Sequence, residues 1–367
     1  MSKFYTAIGL MSGTSLDGID VALLKTDGED RVERGPARTY AYTSDQRASL
    51  AMALRDAVQI RSREERPGNL GDIERALTEW HATAVRRFCA ENRLSAADID
   101  LIGFHGQTVL HRPERHLTVQ LGDGRLLAER TGVPVMFDMR ADDVAAGGQG
   151  APLVPVYHRA LAASIAERPV AFVNIGGVAN VTWIGRNGEL LAFDTGPGNA
   201  LLDDWALRHT GITSDMDGRL ASGGRINEGV VAQYLGDSYF EEPPPKSLDR
   251  NSFAGVDLTG LSVEDGAATL VAVTARTIAL AAGWFPEPPA RWIICGGGRK
   301  NPAIMAALRN AIATTRAAEE ARFDGDAMEA EAWAYLAVRC LLKLPISFPG
   351  TTRVPAEMSG GVLVQPR

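Results

Sequence analysis

Three turns in this sequence combine glycine with hydroxyl, amide or carboxylate side chains, the combination that lets backbone amides close on an anion. The first lies in Gly9-Leu10-Met11-Ser12-Gly13-Thr14-Ser15-Leu16-Asp17-Gly18-Ile19-Asp20. Gly13 and Gly18 let the chain turn and approach a ligand closely. Thr14 and Ser15 add hydroxyls beside the amides, so the turn could wrap a phosphate or diphosphate. Asp17 is a candidate magnesium ligand, directly or through water. No Gly-Lys-Ser/Thr follows, so this is not a Walker loop. The same residues also read as a polar hairpin turn.

The second turn is Phe193-Asp194-Thr195-Gly196-Pro197-Gly198-Asn199. Asp194 is expected to end a strand, with Thr195 to Asn199 opening a helix whose first amides would face a phosphate. Asp194 would then stand where it could take a proton from a nucleophile. A plain helix cap is the competing reading. The third turn, Gly296-Gly297-Gly298-Arg299-Lys300-Asn301, could let a flat base or ribose approach the backbone, or be only a pliant strand–helix connection. The dinucleotide fingerprint Gly-x-Gly-x-x-Gly is absent, which disfavours a nicotinamide enzyme. His105, between Gly103 and Gly106, is a candidate base or, more simply, a hydrogen-bonding residue. Glu329 and Glu331 sit where a helix start favours acidic residues.

The elements that must carry these turns follow from periodicity. Apolar runs predict strands at 5–10, 19–24, 101–105, 117–121 and 133–137, then again at 169–175, 178–184, 190–193 and 291–295. Helical spacing predicts helices at 45–57, 70–92, 125–131, 155–166, 199–209, 262–282, 301–312 and 327–342. Each half thus opens on hairpin-like strands with a glycine turn and then alternates helices and strands, the pattern of two related α/β lobes. The break at Gly147–Val154 places the lobes at 1–148 and 149–367, with the last helix able to pack back on the first lobe. The 239–253 stretch, with Pro243-Pro244-Pro245, reads as a long loop that could bind or move.

Composition narrows the class. The chain has 367 residues, 45% hydrophobic and 23% charged, with a net charge of −7. That acidic balance lacks the clustered basic face of a nucleic-acid binder. The opening residues do not read as a signal peptide and no run is long enough to cross a membrane, so a cytoplasmic protein is expected. Cys89, Cys295 and Cys340 are too scattered for a disulfide framework or a metal site.

Taken together, Met11–Gly18, Phe104-His105-Gly106-Gln107-Thr108, Ala146–Leu153, Val173–Asn180, Phe193–Asn199 and Cys295–Gly298 resemble the anhydro-N-acetylmuramic acid kinase family, over residues 7 to 340. The resemblance implies the actin/hexokinase/Hsp70 superfamily, with two actin/hexokinase-like lobes and a nucleotide in the cleft between them. It implies a kinase using ATP and Mg2+ that opens the 1,6-anhydro bridge of its sugar with water and phosphorylates O6, in peptidoglycan recycling. By the same resemblance, Gly13, Thr14, Ser15, Leu16, Asp17, Gly18, Ile19 and Asp20 would form the first phosphate loop. Asp194 would be the base, and Thr195, Gly196, Gly198 and Asn199 the second phosphate segment. Gly296, Gly297, Gly298 and Asn301 would line the adenosine, and Thr108, Arg140 and Glu329 the sugar. A homodimer is the family's expected assembly. One departure stands at Lys246-Ser247-Leu248-Asp249-Arg250, where the family has Lys-Ser-Thr-Gly-Arg. The competing functions are a kinase for another anhydro sugar such as levoglucosan, and a non-catalytic nucleotide-binding regulator of cell-wall metabolism.

Overall fold

The computed structural model describes residues 3–13, 15–248 and 257–367. The chain divides into two compact units, Met1–Ser164 with Ala327–Arg367, and Ile165–Asp326. The first unit carries β1 (Tyr5–Ser12), β2 (Gly18–Thr26), β3 (Val32–Ala41), β4 (Leu101–Arg112), β5 (Leu117–Leu121) and β6 (Val135–Phe137). Its sheet runs in the order β6-β4-β1-β2-β3, extended beyond β6 by the strand Val362–Val364, with β5 paired to β4. The second unit carries β7 (Val170–Ile175), β8 (Val178–Ile184), β9 (Leu190–Pro197), β10 (Arg291–Cys295) and β11 (Thr315–Ala317), in the order β11-β10-β7-β8-β9.

The two sheets share one topology. In each, three strands form an antiparallel meander, and two later strands, β4 and β6 in the first unit and β10 and β11 in the second, pair parallel on the far side of the first. Parallel pairing requires a crossover, and helices supply it. Ser44–Ala57 and Leu70–Glu91 connect β3 to β4, and Val263–Leu280 is the longest of the helices connecting β9 to β10. Their starts are written locally. Thr43 and Gln46 form a capping box ahead of Ser44–Ala57, and the Ser262 side chain accepts from the Asp265 N–H. The two related lobes expected from the sequence are therefore visible as repeated strand order.

Val263–Trp284 is the one stretch among the described residues long and apolar enough to cross a membrane, but most of it is buried within the second unit. It is a core helix: Ala267, Leu270, Val271, Ala275 and Ile278 pack with Phe193, Trp205 and Ile294.

The compact units do not divide at 148/149. Residues 149–164 stay with the first unit, because the Gln149 N–H donates to the Thr352 carbonyl and the Tyr157 hydroxyl donates to Glu331 at 2.7 Å. Residues 327–367 join it because the helix Met328–Leu341 lies directly on β1 and β4. Gly9 and Gly103 are register partners in those strands. A Cβ on Gly9 would overlap the Ala330 carbonyl, and one on Gly103 the Trp333 carbonyl. Both glycines exist here to admit a helix backbone. Gly9→Ala and Gly103→Ala are each expected to cost about 1–3 kcal/mol of stability, as overpacked cores do. Gly71, with no atom near its missing side chain, is the control: Gly71→Ala should leave the melting temperature unchanged or slightly raised.

Candidate active site

In the second unit the glycine turns gather at one edge of the sheet. β7 and β10 run parallel and end together at Ile175 and Cys295, which is where α/β sheets hold ligands. The turn Gly176-Gly177 follows β7, and Gly296-Gly297-Gly298 follows β10. Gly296 has φ +73°, a conformation that favours glycine. Beside Gly176, Gly177 and Gly297 the nearest protein atom to a would-be Cβ is 3.5–3.6 Å away, an ordinary contact distance, and Gly177 and Gly297 are exposed. Arg299 fastens the loop. It is 9% exposed, donates to the Gly296 carbonyl at 2.8 Å, and pairs with Glu319 and Asp326.

Two expectations change here. The strand carrying Asp194 does not stop there. β9 continues to Pro197, with a bulge at Thr195 where Asn180 pairs with Asp194 but the adjacent Ala179 pairs with Gly196. Bulges re-aim side chains and recur beside active sites. The Thr195 hydroxyl turns back to the Ala179 carbonyl at 3.2 Å. The helix starts only at Ala200, and the Gly198, Asn199 and Ala200 amides donate to the Gly177 and Gly176 carbonyls. Those amides hold the neighbouring turn and are not the anion donors expected of them. Asn301 is corrected too. Its side-chain oxygen caps the helix Pro302–Ala311 at 2.9 Å and its NH2 donates to the Asp215 carbonyl at 3.2 Å, so both ends of the amide are structural.

Asp194 is the chemically poised group of this unit. Its Oδ2 accepts from the Leu248 N–H at 2.7 Å, and Oδ1 has no partner among the described residues. Burial raises its pKa to about 7, and the Leu248 bond opposes the rise. A carboxylate titrating there is matched to proton abstraction at neutral pH.

The first unit holds the other turn. Leu16 stands at φ +58°, with its N–H on the Gly13 carbonyl at 3.2 Å. Gln107 Nε2 donates to the same carbonyl at 3.2 Å. Ser12 Oγ reaches the Gly106 carbonyl at 3.0 Å. Thr14 lies outside the described residues. Ser15 and Asp17 are exposed. The turn is narrower than expected, because Gly18, Ile19 and Asp20 belong to β2: Ile19 is in the core and Asp20 accepts from Thr39 at 2.6 Å. No group of three or more His, Cys, Asp or Glu among the described residues is arranged to hold a metal. A single exposed carboxylate such as Asp17 fits magnesium that arrives with substrate phosphates and keeps its waters.

Arg140 organises a second cluster in this unit. Its Nε donates to His105 Nε2 at 3.1 Å, one terminal nitrogen donates to the Gly150 carbonyl at 2.7 Å, and the guanidinium lies 4.9 Å from the Trp333 ring centre. Trp333 also packs against the His105 ring at 4.5 Å. Burial lowers the Arg140 pKa to about 10, with Glu329 and Asp143 opposing. Glu331 is buried against the Tyr157 hydroxyl, whereas Glu329 is part-exposed and acts on Arg140. Thr108 lies on β4 opposite Gln120, whose Nε2 donates to its hydroxyl at 3.2 Å. Sequence reasoning missed Trp333, Tyr239 and Gln107 as site residues. Trp333 follows Glu329 by four residues, one helical turn, which was the available signal.

Two sheets of one topology with glycine turns at their strand ends are the architecture of a two-lobed, ATP-using phosphotransferase. Residues 5–366 match the model of the family described as anhydro-N-acetylmuramic acid kinase. The chain is 52% identical over 372 aligned positions, covering both proteins fully, to an anhydro-N-acetylmuramic acid kinase of Agrobacterium fabrum. It is 53% identical to one of Rhodopseudomonas palustris, covering 98% of this chain and 99% of that one. Among solved structures it is similar to the activator of the 2-hydroxyisocaproyl-CoA dehydratase from Clostridium difficile with bound ADPNP (TM-score 0.47, 14% identity, covering 91% and 94% of the two chains). A ROK family glucokinase from Streptomyces griseus is also similar (TM-score 0.37, 15% identity, covering 89% and 97%). The chain belongs to the anhydro-N-acetylmuramic acid kinase family.

The Arg140 contact fixes the state of His105. An Nε2 that accepts from a guanidinium is unprotonated, so the proton is on Nδ1. Burial first, and Arg140 second, hold the ring well below the usual histidine pKa. In a 15N–1H NMR titration His105 should stay a neutral Nδ1–H tautomer as pH falls through the free-histidine value of about 6.5, with no inflection there. A cationic His105 at pH 6 would refute the assignment.

Proposed function

We propose that this protein uses ATP and water to open the 1,6-anhydro bridge of 1,6-anhydro-N-acetylmuramic acid and phosphorylates O6, giving N-acetylmuramic acid 6-phosphate and ADP. The observation that carries the reading is Asp194: a part-buried carboxylate held at one oxygen by the Leu248 N–H, with no partner at the other among the described residues and a pKa near 7.

O6 is bonded to the anomeric carbon in this substrate and carries no proton, so activating it as a hydroxyl is not open to the enzyme. Asp194 instead removes a proton from a water that attacks the anomeric carbon. The bond from that carbon to O6 breaks, and the released O6 attacks the γ-phosphorus as ADP departs. Phosphoryl transfer then depends on positioning and charge stabilisation. Arg140, Glu329 and Thr108 are assigned to the sugar. Gly13, Ser15 and Asp17 are assigned to the phosphates, and Gly296, Gly297 and Gly298 with Gly176-Gly177 to the nucleotide. Magnesium, brought by ATP, would neutralise phosphate charge, with Asp17 as its partner on the protein. A cytoplasmic location and a homodimer are proposed on the family resemblance.

Incubation with magnesium, ATP and a panel of anhydro and open-chain amino sugars tests the reading by product mass. A gain of water and phosphate on the anhydro-muramic sugar is expected. The same gain on levoglucosan alone would transfer the activity to that substrate class, and no product with any sugar would favour a regulator.

Asp194→Asn should fold and lose about 10²–10⁴-fold in rate. In the wild type kcat/KM should climb with pH through an apparent pKa near 7, because the base works only when ionised. Stability should move the opposite way. Between the unfolded aspartate value of about 3.9 and the folded value near 7, the folded protein binds the proton more tightly. Wild-type stability therefore falls as pH rises through that window. Asp194→Asn lacks that fall, so its melting temperature should gain on the wild type between pH 5 and 8.

A further inference from the structure

The segment following the helix Glu228–Leu235 grips Asp194 at three atoms. The Tyr239 hydroxyl donates to the Asp194 carbonyl at 2.5 Å. The Asp194 N–H donates to the Lys246 carbonyl at 2.9 Å. The Leu248 N–H donates to Oδ2 at 2.7 Å. Two of these bonds fix the backbone on either side of the α-carbon, and the third fixes the carboxylate.

The grip has its own fastening. Lys246 is 7% exposed, and its Nζ donates to the Tyr239 carbonyl at 2.6 Å. The same ammonium lies 4.4 Å from the Tyr239 ring centre and 5.3 Å from that of Trp284. Carbonyl and ring faces together hold a desolvated cation in place of water. The bond joins residue 246 to residue 239, the two ends of the strap that touch the Asp194 backbone. Trp284 packs against the core of the unit and Tyr239 packs with Val231, Tyr234 and Val273, so the strap is tied to fixed ground. Of the charged groups on the strap, Glu242 is the one that acts on Lys246. Across the sheet from Asp194, β8 presents the neutral Asn180.

We propose that Lys246 and Tyr239 are positioning residues for Asp194: the Lys246 ammonium ties the strap closed, and the strap holds Oδ2 on the Leu248 N–H so that Oδ1 is the oxygen offered to water. This rests on the reading of Asp194 as the base. Neither side chain reaches the carboxylate itself, so both act through the backbone. The Leu248 bond opposes the effect of burial on Asp194, so a loosened strap gives a carboxyl that ionises at higher pH.

The test follows the Asp194 carboxyl directly, by carbon NMR titration of 13C-aspartate-labelled protein, with Asp194→Asn identifying the signal. Lys246→Met is expected to raise its pKa by about one unit, the scale of one hydrogen bond to a charged group. Tyr239→Phe should raise it less, and Lys246→Arg, which keeps a cation, should stay near wild type. In kinetics the acid limb of kcat should move with the titration. A one-unit rise from 7 lowers activity at pH 7 about fivefold, recovered at pH 9, with KM for ATP unchanged. An unchanged carboxyl pKa in folded Lys246→Met overturns the proposal. If that variant does not fold, an unchanged pKa in Tyr239→Phe overturns it. A shifted titration with an unshifted kinetic limb would refute Asp194 as the base while upholding the strap's hold on it.

Discussion

The first unit depends on two missing side chains. At Gly9 and Gly103 the sheet presents bare backbone, and the helix Met328–Leu341 rests on it with no room for a methyl group. That contact sets the height of the helix over the strands, and with it the place of each residue the helix projects. Trp333 reaches the His105 ring and the Arg140 guanidinium because of it, and Glu329 stands one turn earlier and acts on Arg140. The second unit repeats the device at Gly196, where a Cβ would meet Thr277 of Val263–Leu280. Here the close approach sits two residues from Asp194. In both units glycine lets a helix come down on the strand that carries or faces the candidate chemistry.

Two part-buried charges show how such a site tunes itself. Asp194 is part-buried and, among the described residues, receives a single N–H at its carboxylate, so its ionised form is costly and its pKa climbs to about 7. Arg140 is likewise part-buried, and its donors are met by a neutral imidazole and a carbonyl, with carboxylates nearby, so the guanidinium remains a cation at any physiological pH. One group is left able to exchange a proton and the other is not. The difference lies in where each group starts: burial pushes both toward neutrality, but the guanidinium starts near 12.5 and the carboxyl near 3.8.

Much of this was legible in the sequence, and the exceptions share a cause. The strands at 5–10, 19–24 and 170–184 have apolar runs that mark them, and the glycine turns stood out by composition. β3 was missed because an exposed edge strand need not alternate: Val32–Ala41 carries charges and Pro36, which only an edge tolerates. β9 was cut short because Gly196 and Pro197 read locally as a turn, while pairing with Val178 and Ala179 makes them strand. The boundary at 148 fell short for the same reason, since residues 149–164 are recruited by contacts up to about two hundred positions away, whereas the return of the last helix to the first unit was anticipated. Asp194 itself could be picked out. Leu248, whose N–H meets its carboxylate, and Tyr239, which holds its backbone carbonyl, lie about fifty residues on in a segment with no periodicity to mark it.

The division of the chain has a consequence for its making. The second unit is one uninterrupted stretch, Ile165–Asp326, set inside a first unit whose last part begins at Ala327. A ribosome delivers all of the inner unit before it delivers the helix that covers Gly9 and Gly103. The usual order, amino-terminal domain first, is thereby reversed: the inner unit can close while the outer sheet still waits with one face bare. Closing that face joins residues more than three hundred positions apart, the costly kind of contact that slows folding. The nascent chain's exposed moment falls on β1 and β4, and it ends only when the last forty or so residues emerge.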